Sequence, residues 1–192
     1  MIGASAGGVE ALSELVPTIP HDIPAVILIV LHIPPWNKSN LPQILERQGT
    51  LPVSHAKDQE PIEKGHIYVA PPDHHLLVEN GRTVLWRGPR ENRFRPAINT
   101  LFRAAAGAYG PRVTGVVLSG ALDDGSAGSW WIQRYGGVVI VQDPDEALIP
   151  DMPRNALQYC SSALILPVSE MGSLLARFAT GEEVWECQQK RA

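Results

Sequence analysis

The chain has 192 residues, of which 44% are apolar, and its formal net charge is −4 at pH 7. These values indicate one globular domain with a full hydrophobic core. The acidic balance, without a basic cluster, argues against nucleic-acid binding, because affinity for phosphate backbones comes mainly from Lys and Arg. The longest apolar run, residues 25–31, is far shorter than the roughly 20 residues that span a bilayer. We therefore expect no membrane insertion.

Cysteine usage and the first residues favour a cytoplasmic location. Cys160 and Cys187 lack metal-ligand spacing and are expected to be reduced thiols, although a disulfide between them stays open. No charged segment followed by an apolar one, as in a signal peptide, opens the chain.

The first 73 residues alternate between strand and helix patterns. "MIGASAGGVEAL" predicts a strand, a glycine turn and a helix, because apolar residues then recur at helical spacing. Only two residues precede the glycine turn, so this first strand is either stunted or cut short. "AVILIVLH" is a continuous apolar run, typical of a parallel strand covered on both faces. Residues 39–48 predict a helix capped by Ser39 or Asn40, and residues 65–72 predict a strand.

Residues 74–86 contain two β-rich runs separated by Asn80 and Gly81. This pair is a strong signal for a type I′ turn, in which both central residues have positive φ. The segment therefore predicts an antiparallel hairpin.

The second half returns to alternating strands and helices. Helices are predicted at residues 96–109, 126–135, 152–160 and 169–179, and strands at 112–120, 136–143 and 163–168. Pro96 is expected at the first position of its helix and Ser169 at an N-cap. The fold class that follows is α/β: a doubly wound, mainly parallel sheet with an inserted antiparallel hairpin, in three layers. Residues 1–180 are expected to form one domain and residues 181–192 a tail.

Three strands place reactive side chains at their carboxyl ends, where ligands bind in open parallel sheets. Ser5 follows the first strand, His32 ends the second, and Asp123 and Asp124 follow "VVLSG". A serine hydroxyl attacks only when a neighbouring base takes its proton, and imidazole suits that task near neutral pH. A carboxylate fixes the tautomer of the imidazole, and backbone N–H groups at a helix N-terminus, such as that of Ala6, can hold an oxyanion. The pattern predicts a serine hydrolase.

Other interpretations compete with this one. "GASAGG" before a helix could cradle a phosphate, but a dinucleotide fold would place an acidic residue where His32 stands. A binding module that has kept the fold and lost the reaction is a further alternative. His74 and His75 point to opposite faces of a strand and are not expected to chelate a metal together. Trp130 and Trp131 are expected to lie half in the core and half at the surface. No cofactor is expected.

Several blocks resemble the chemotaxis receptor methylesterases of the CheB type, in collinear order over nearly the whole chain. They are "IGASAGGVEAL", "VLHIPP", "GHIYVAPPDHHLLV", "RPAINTLFRAAA", "GVVLSGALDDGSAG", "GGVVIVQDPDEA" and "MPRNAL". The resemblance implies an esterase that hydrolyses methyl-esterified glutamates on receptor signalling helices, releasing methanol. It also implies deamidation of certain glutamines, with a methylated chemoreceptor as the partner.

The resemblance also assigns roles to individual residues. Ser5 falls on the nucleophile of the family, His32 on its general base, and Asp124 on its acidic member, which directly precedes a glycine. Ala121 takes the place of a methionine whose backbone N–H helps to hold the oxyanion, together with that of Ala6. Arg95 is a candidate for substrate binding, with a surface ion pair as the alternative.

The sequence departs from the family pattern at several positions. Leu122 replaces a glycine, and a His-Arg-Pro-Ser-x-Asp block reads "FRPAIN" at residues 94–99, which loses three polar side chains. We also expect the N-terminal receiver domain and linker that the family usually carries to be absent. We expect a divergent, stand-alone form in which aspartyl phosphorylation within the chain plays no part.

Overall fold

A computed structural model describes residues 1–182, so Cys187 and most of the expected tail lie outside the described residues. The strands are β1 (Ile2–Ala4), β2 (Ile27–Leu31), β3 (Val53–His55), β4 (Ile67–Val69), β5 (His75–Glu79), β6 (Arg82–Trp86), β7 (Thr114–Val117), β8 (Val138–Gln142) and β9 (Leu164–Leu166). The α-helices are α1 (Gly8–Leu15), α2 (Leu41–Gln48), α3 (Ile98–Tyr109), α4 (Ser126–Arg134), α5 (Asp151–Tyr159) and α6 (Val168–Ala179).

Seven strands form one parallel sheet in the order β3-β4-β2-β1-β7-β8-β9. The short strand β1 lies in the centre and pairs with β2 on one side and β7 on the other. The strands that follow β1 in the chain, β2 to β4, lie on one side of it, and β7 to β9 lie on the other side. The direction in which strands are added to the sheet therefore reverses between β1 and β7. Such a switch point opens a crevice at the carboxyl ends of the strands.

Helices cover both faces of the sheet, as the continuous apolar run of β2 predicts. Ile27, Ile29 and Leu31 pack into one core with apolar residues of α1, α2 and α6. Leu28 and Val30 pack into a second core with residues of α3, α4, α5 and the hairpin. Because successive strand residues point to opposite faces, one buried strand serves both cores. The predicted three-layer fold is confirmed.

The predicted hairpin is confirmed as the antiparallel pair β5–β6, which forms a two-stranded sheet of its own. Asn80 and Gly81 have φ of 48° and 73°, as a type I′ turn requires. Leu76 and Val78 of β5 are buried against the α3 side of the sheet. The hairpin therefore closes one end of that helical layer.

Several local predictions were wrong. Helix α3 begins at Ile98, and Pro96 lies before it, after a cis peptide bond, so Pro96 is not at the first helical position. Helix α6 begins at Val168 with Pro167 as N-cap, so the N-cap lies two residues before the expected Ser169. Strand β3 was not predicted, because its three residues carry too short a pattern.

Trp130 and Trp131 are 43% and 36% exposed and belong to neither core. Their predicted half-core position was wrong, because Ile132 supplies the inward face of α4. Across residues 1–182, no helix combines the length and the apolar character needed to cross a bilayer.

Candidate functional site

The three side chains predicted to meet at the carboxyl edge of the sheet lie in contact. Ser5 Oγ is 3.1 Å from His32 Nδ1, and His32 Nε2 is 2.8 Å from Asp124 Oδ2. They come from the turns after β1, β2 and β7, the three adjacent strands at the switch point. Residues 27 and 92 positions apart in sequence are thus joined in one hydrogen-bonded line.

The orientation of the imidazole fixes which nitrogen can act as a base. Because the Asp124 carboxylate accepts hydrogen bonds, we assign the ring proton of His32 to Nε2, which donates a hydrogen bond to Oδ2. Nδ1 is then left with its lone pair facing the Ser5 hydroxyl. In the chymotrypsin-type arrangement the two nitrogens have the opposite assignment, but the chemistry requires only that one nitrogen faces each partner. The His32 side chain is 4% exposed.

Asp124 is fully buried and is held by the N-terminus of α3. Its Oδ2 accepts a hydrogen bond from the Ile98 N–H (2.7 Å), and its Oδ1 accepts from the N–H groups of Asn99 and Gly125 (both 3.1 Å). The first N–H groups of a helix have no partner within it, and the helix dipole favours a negative charge there. Backbone N–H groups therefore hold the Asp124 carboxyl in place, and within residues 1–182 no Arg or Lys forms an ion pair with it.

The turn that carries Ser5 depends on close backbone approach. A Cβ on Gly3 would lie 2.4 Å from Ile98 Cγ2, so this glycine allows α3 to approach β1. The Ser5 N–H donates to the Ser119 carbonyl (2.9 Å), which ties the turn after β1 to the turn after β7. The Gly8 N–H donates back to the Ser5 carbonyl (2.8 Å) and starts α1. The hydroxyl of Ser5 thus lies between two connected turns.

Ser119 holds the turn after β7 in place. Its hydroxyl donates to the Ala6 carbonyl (2.8 Å) and accepts from the Ile149 N–H (2.9 Å), and its own N–H donates to Gln142 Oε1 (2.8 Å). The side chain is buried, with these polar groups satisfied. Ser119 therefore connects the turns after β1, β7 and β8 and is a structural residue of the site.

The candidate oxyanion donors, the N–H groups of Ala6 and Ala121, belong to the same two turns. Within residues 1–182, neither of these N–H groups donates a hydrogen bond. Ala6 is exposed and Ala121 is half-buried. Both N–H groups therefore have no hydrogen-bond acceptor among the described residues.

Leu122 keeps the backbone conformation that a glycine would supply. Its φ is 69°, in the left-handed region that costs an L-residue about 1–2 kcal/mol. The Leu122 carbonyl accepts a hydrogen bond from Asn155 Nδ2 (2.7 Å) of α5, which holds this conformation. Its side chain is 46% exposed, so the substitution leaves the Asp124 turn intact and adds an apolar group to the surface beside it.

Arg95 takes part in an ion pair beside the site. Its guanidinium donates to Asp73 Oδ1 (2.9 Å from Nε) and to the Gly88 carbonyl (2.6 Å), and Arg87 binds the other oxygen of Asp73. The hydrogen bond from Arg95 is the main reason why the pKa of Asp73 is lowered from its ordinary value. This geometry ties the segment before α3 to the loop before β5. A role of Arg95 in substrate binding stays a prediction.

Sequence reasoning missed two contacts of the site. Phe94 stacks on His32 with ring centroids 3.6 Å apart and an angle of 8° between the ring planes. Asn99 Oδ1 accepts from the N–H groups of Gly125 (3.0 Å) and Gly128 (2.7 Å), which joins the first turns of α3 and α4. Both residues lie in the "FRPAIN" block, whose departures from the family pattern were the only signal for them.

His74 and His75, outside this line of contacts, have structural partners. His75 is buried, with Nε2 near the Pro89 carbonyl (2.8 Å) and Nδ1 near the Ala97 N–H (3.2 Å). His74 contacts the Pro72 carbonyl (3.0 Å). In the described part of the chain, no three His, Cys, Asp or Glu side chains are grouped so that they could hold a metal ion.

A serine, an imidazole and a buried carboxylate in one line at the switch point of a parallel sheet define a candidate serine hydrolase of the α/β class. The CheB methylesterase family model matches residues 1–175. The chain therefore belongs to the CheB methylesterase family.

Similar proteins agree with this assignment. A Leptospira interrogans protein, provisionally named a protein-glutamate methylesterase/protein-glutamine glutaminase, is 38% identical over 178 residues, which are 92% of this chain and 92% of that protein. A Methanosarcina mazei protein of that name is 36% identical over 92% of this chain, which spans 50% of its length. The CheB methylesterase catalytic domain of Thermotoga maritima has a TM-score of 0.87 and 31% identity, over 92% of this chain and 96% of that domain.

Proposed function

We propose that this chain hydrolyses the methyl ester of glutamate side chains in a chemotaxis receptor, with Ser5 as nucleophile, His32 as general base and Asp124 as the group that orients His32. The observation that carries the proposal is the line of contacts from Ser5 Oγ through both ring nitrogens of His32 to Asp124. The names of the relatives supply the substrate class, and the family supplies the connection to chemotaxis. A cytoplasmic location follows from that substrate.

The reaction begins when Ser5 Oγ attacks the ester carbonyl carbon while Nδ1 of His32 takes its proton. The imidazolium that forms is stabilised by Asp124 across the 2.8 Å contact with Nε2. The carbonyl oxygen becomes an oxyanion, which accepts hydrogen bonds from the N–H groups of Ala6 and Ala121. When the tetrahedral intermediate collapses, the C–O bond to the methoxy group breaks and methanol leaves with the proton of His32.

Water completes the cycle. His32 takes a proton from the water molecule as it attacks the acyl carbon, and Ser5 leaves with a proton returned by His32. The products are a glutamate side chain and the free enzyme. With a glutamine side chain, the same steps release ammonia in place of methanol, which corresponds to the glutaminase activity in the names of the relatives.

The test is hydrolysis of a methyl-esterified receptor fragment, measured as methanol release, together with labelling by a fluorophosphonate probe. We expect Ser5→Ala to lose labelling and to lose turnover by about 10³-fold or more. Ser173→Ala removes an exposed hydroxyl on α6 and is the matched control, with activity unchanged. Undiminished turnover in Ser5→Ala would refute the proposal. A wild-type chain that neither labels nor turns over would instead favour a binding module without catalysis.

A further inference from the structure

The flat contact between Phe94 and His32 is not explained by the reaction steps alone. Hydrogen bonds at Nδ1 and Nε2 hold two edges of the imidazole but leave it free to tilt about the line that joins them. Phe94 covers one face of the ring at 3.6 Å and is almost parallel to it, which opposes that tilt. Phe94 is itself half-buried, so it also shields this face of His32 from water.

A tight turn at residues 91–94 presents the Phe94 ring. Two backbone hydrogen bonds close the turn, from the Glu91 N–H to the Phe94 carbonyl (3.1 Å) and from the Phe94 N–H to the Glu91 carbonyl (2.8 Å). Its central residues, Asn92 and Arg93, have φ of 48° and 74°. Left-handed conformations at two successive non-glycine residues persist only where the surroundings hold them.

Helix α3 supplies that hold. The Glu91 carboxylate accepts hydrogen bonds from Arg103 Nη2 (2.7 Å) and Thr100 Oγ1 (3.2 Å), both of which lie on α3. The N-terminus of the same helix binds Asp124. One rigid element therefore positions both the carboxylate at the edge of His32 and the aromatic ring on its face.

We propose that Phe94 is a positioning residue that holds the His32 imidazole in the plane joining Ser5 to Asp124, and that the Glu91–Arg103 ion pair fixes Phe94 in place. This inference rests on the proposed function, because it takes His32 as the base. The inference adds that turnover depends on the aromatic ring of residue 94 and not only on the volume of its side chain.

The test compares Phe94→Leu, which keeps an apolar side chain, with Phe94→Tyr, which keeps the ring. For Phe94→Leu we expect kcat to fall by about 10- to 100-fold with KM changed less than about 2-fold, since small misplacements of a catalytic group have effects of this size. For Phe94→Tyr we expect kcat within about 2-fold of the wild type. Glu91→Gln should give a smaller loss of kcat than Phe94→Leu, and Arg93→Asn, which changes an exposed side chain of the same turn, should give none.

A second readout does not depend on turnover. The Nε2–H proton of His32, held by Asp124, should give a downfield NMR resonance that His32→Gln removes. We expect this resonance to persist in the wild type, Phe94→Tyr and Ser5→Ala, and to be lost by exchange with water in Phe94→Leu. Circular dichroism on each variant verifies that the fold is kept.

The outcomes separate the two proposals. Wild-type kcat and an intact resonance in Phe94→Leu would overturn the positioning role, as would equal losses in Phe94→Tyr or Arg93→Asn. Turnover by Ser5→Ala would overturn the proposed function. The His32 Nε2–H resonance, compared between Phe94→Leu and Phe94→Tyr, would still decide whether Phe94 orders His32.

Discussion

The turn that follows β1 and the turn that follows β7 each join a buried strand to a helix whose N-cap is a glycine with positive φ, 75° at Gly7 and 98° at Gly125. The side chains they present differ sharply. Ser5 is half-exposed, and within the described residues its hydroxyl contacts one hydrogen-bond partner, His32. Asp124 is fully buried and accepts hydrogen bonds from His32, from three backbone N–H groups and, at 3.5 Å, from Asn92 Nδ2.

The difference shows how one backbone arrangement can serve two roles. After β1 the turn leaves Ser5 half-exposed, as the proposed nucleophile requires. After β7 the turn faces the N-terminus of α3, whose N–H groups saturate the carboxylate. A nucleophile must be accessible to react, whereas an orienting acid works only if it does not move. The following predictions test this division.

The largest effect is expected for Asp124→Asn. Oδ1 and Oδ2 both accept hydrogen bonds, so an amide would turn an NH₂ group toward donors whichever way it is placed. We expect kcat to fall by about 10³- to 10⁴-fold, because the wrong tautomer of His32 is favoured. The unsatisfied N–H groups should lower the free energy of unfolding by about 1–3 kcal/mol. Methanol release and urea denaturation measure the two losses.

The neighbouring carboxylate is the matched control. Asp123 is exposed and precedes Asp124 in the same turn. Asp123→Asn makes the same chemical change and should leave both kcat and stability near the wild type. Similar losses in the two variants would show that the charge of the loop, and not the contact with His32, sustains activity.

A smaller effect is expected when the turn after β1 is strained. A Cβ on Gly7 would lie 2.6 Å from Ser119 Oγ and 2.8 Å from Leu148 Cβ, at a φ of 75°. Gly7→Ala should therefore lower the free energy of unfolding by about 2 kcal/mol and reduce kcat, since Ser5 shifts with the turn. Urea denaturation and methanol release check this prediction.

Gly107→Ala provides the comparison for that variant. Gly107 is exposed within α3, and a Cβ there would meet no atom within 4 Å. Alanine is the better helix former, so this variant should gain about 0.5–1 kcal/mol and keep its activity. If Gly7→Ala were as stable as the wild type, the turn after β1 would not depend on the left-handed conformation.

The sheet and the meeting of Ser5, His32 and Asp124 could be predicted because they depend on local patterns. Apolar runs define the strands, and a residue that directly follows a parallel strand lies at its carboxyl edge. Spacing alone did not choose between the two aspartates, and only the family resemblance selected Asp124. In the structure burial separates the two, since Asp124 turns inward against α3 whereas Asp123 remains exposed.

Phe94 and the start of α3 could not be predicted, because they depend on contacts that are distant in sequence. Pro96 has the composition of a first helical residue, yet it follows a cis peptide bond and the helix starts two residues later. The position of Phe94 is set by Glu91 and its ion pair with Arg103 on α3. No periodicity in the sequence predicts such a turn. The only sequence signal was that residues 94–99 depart from the family pattern.

The smallest effect is expected for a substitution in the ion pair between Glu91 and Arg103. The hydrogen bond from Arg103 is the main reason why the pKa of Glu91 lies below its ordinary value. Because the folded state favours the carboxylate, its contribution to stability is present above the ordinary pKa of Glu and is lost as the pH falls through the lowered one. Both side chains are partly exposed, so Glu91→Gln should cost less than about 1 kcal/mol at pH 7.

Thermal unfolding at neutral and at acidic pH measures this contribution. The difference in Tm between the wild type and Glu91→Gln should be present at pH 7 and should vanish once the wild-type carboxyl is protonated. Glu79→Gln changes an exposed carboxylate of the hairpin that forms no ion pair within residues 1–182, and it should show no such dependence. A Tm difference that stays constant with pH would mean that Glu91 acts through packing and that its charge does not anchor the turn that carries Phe94.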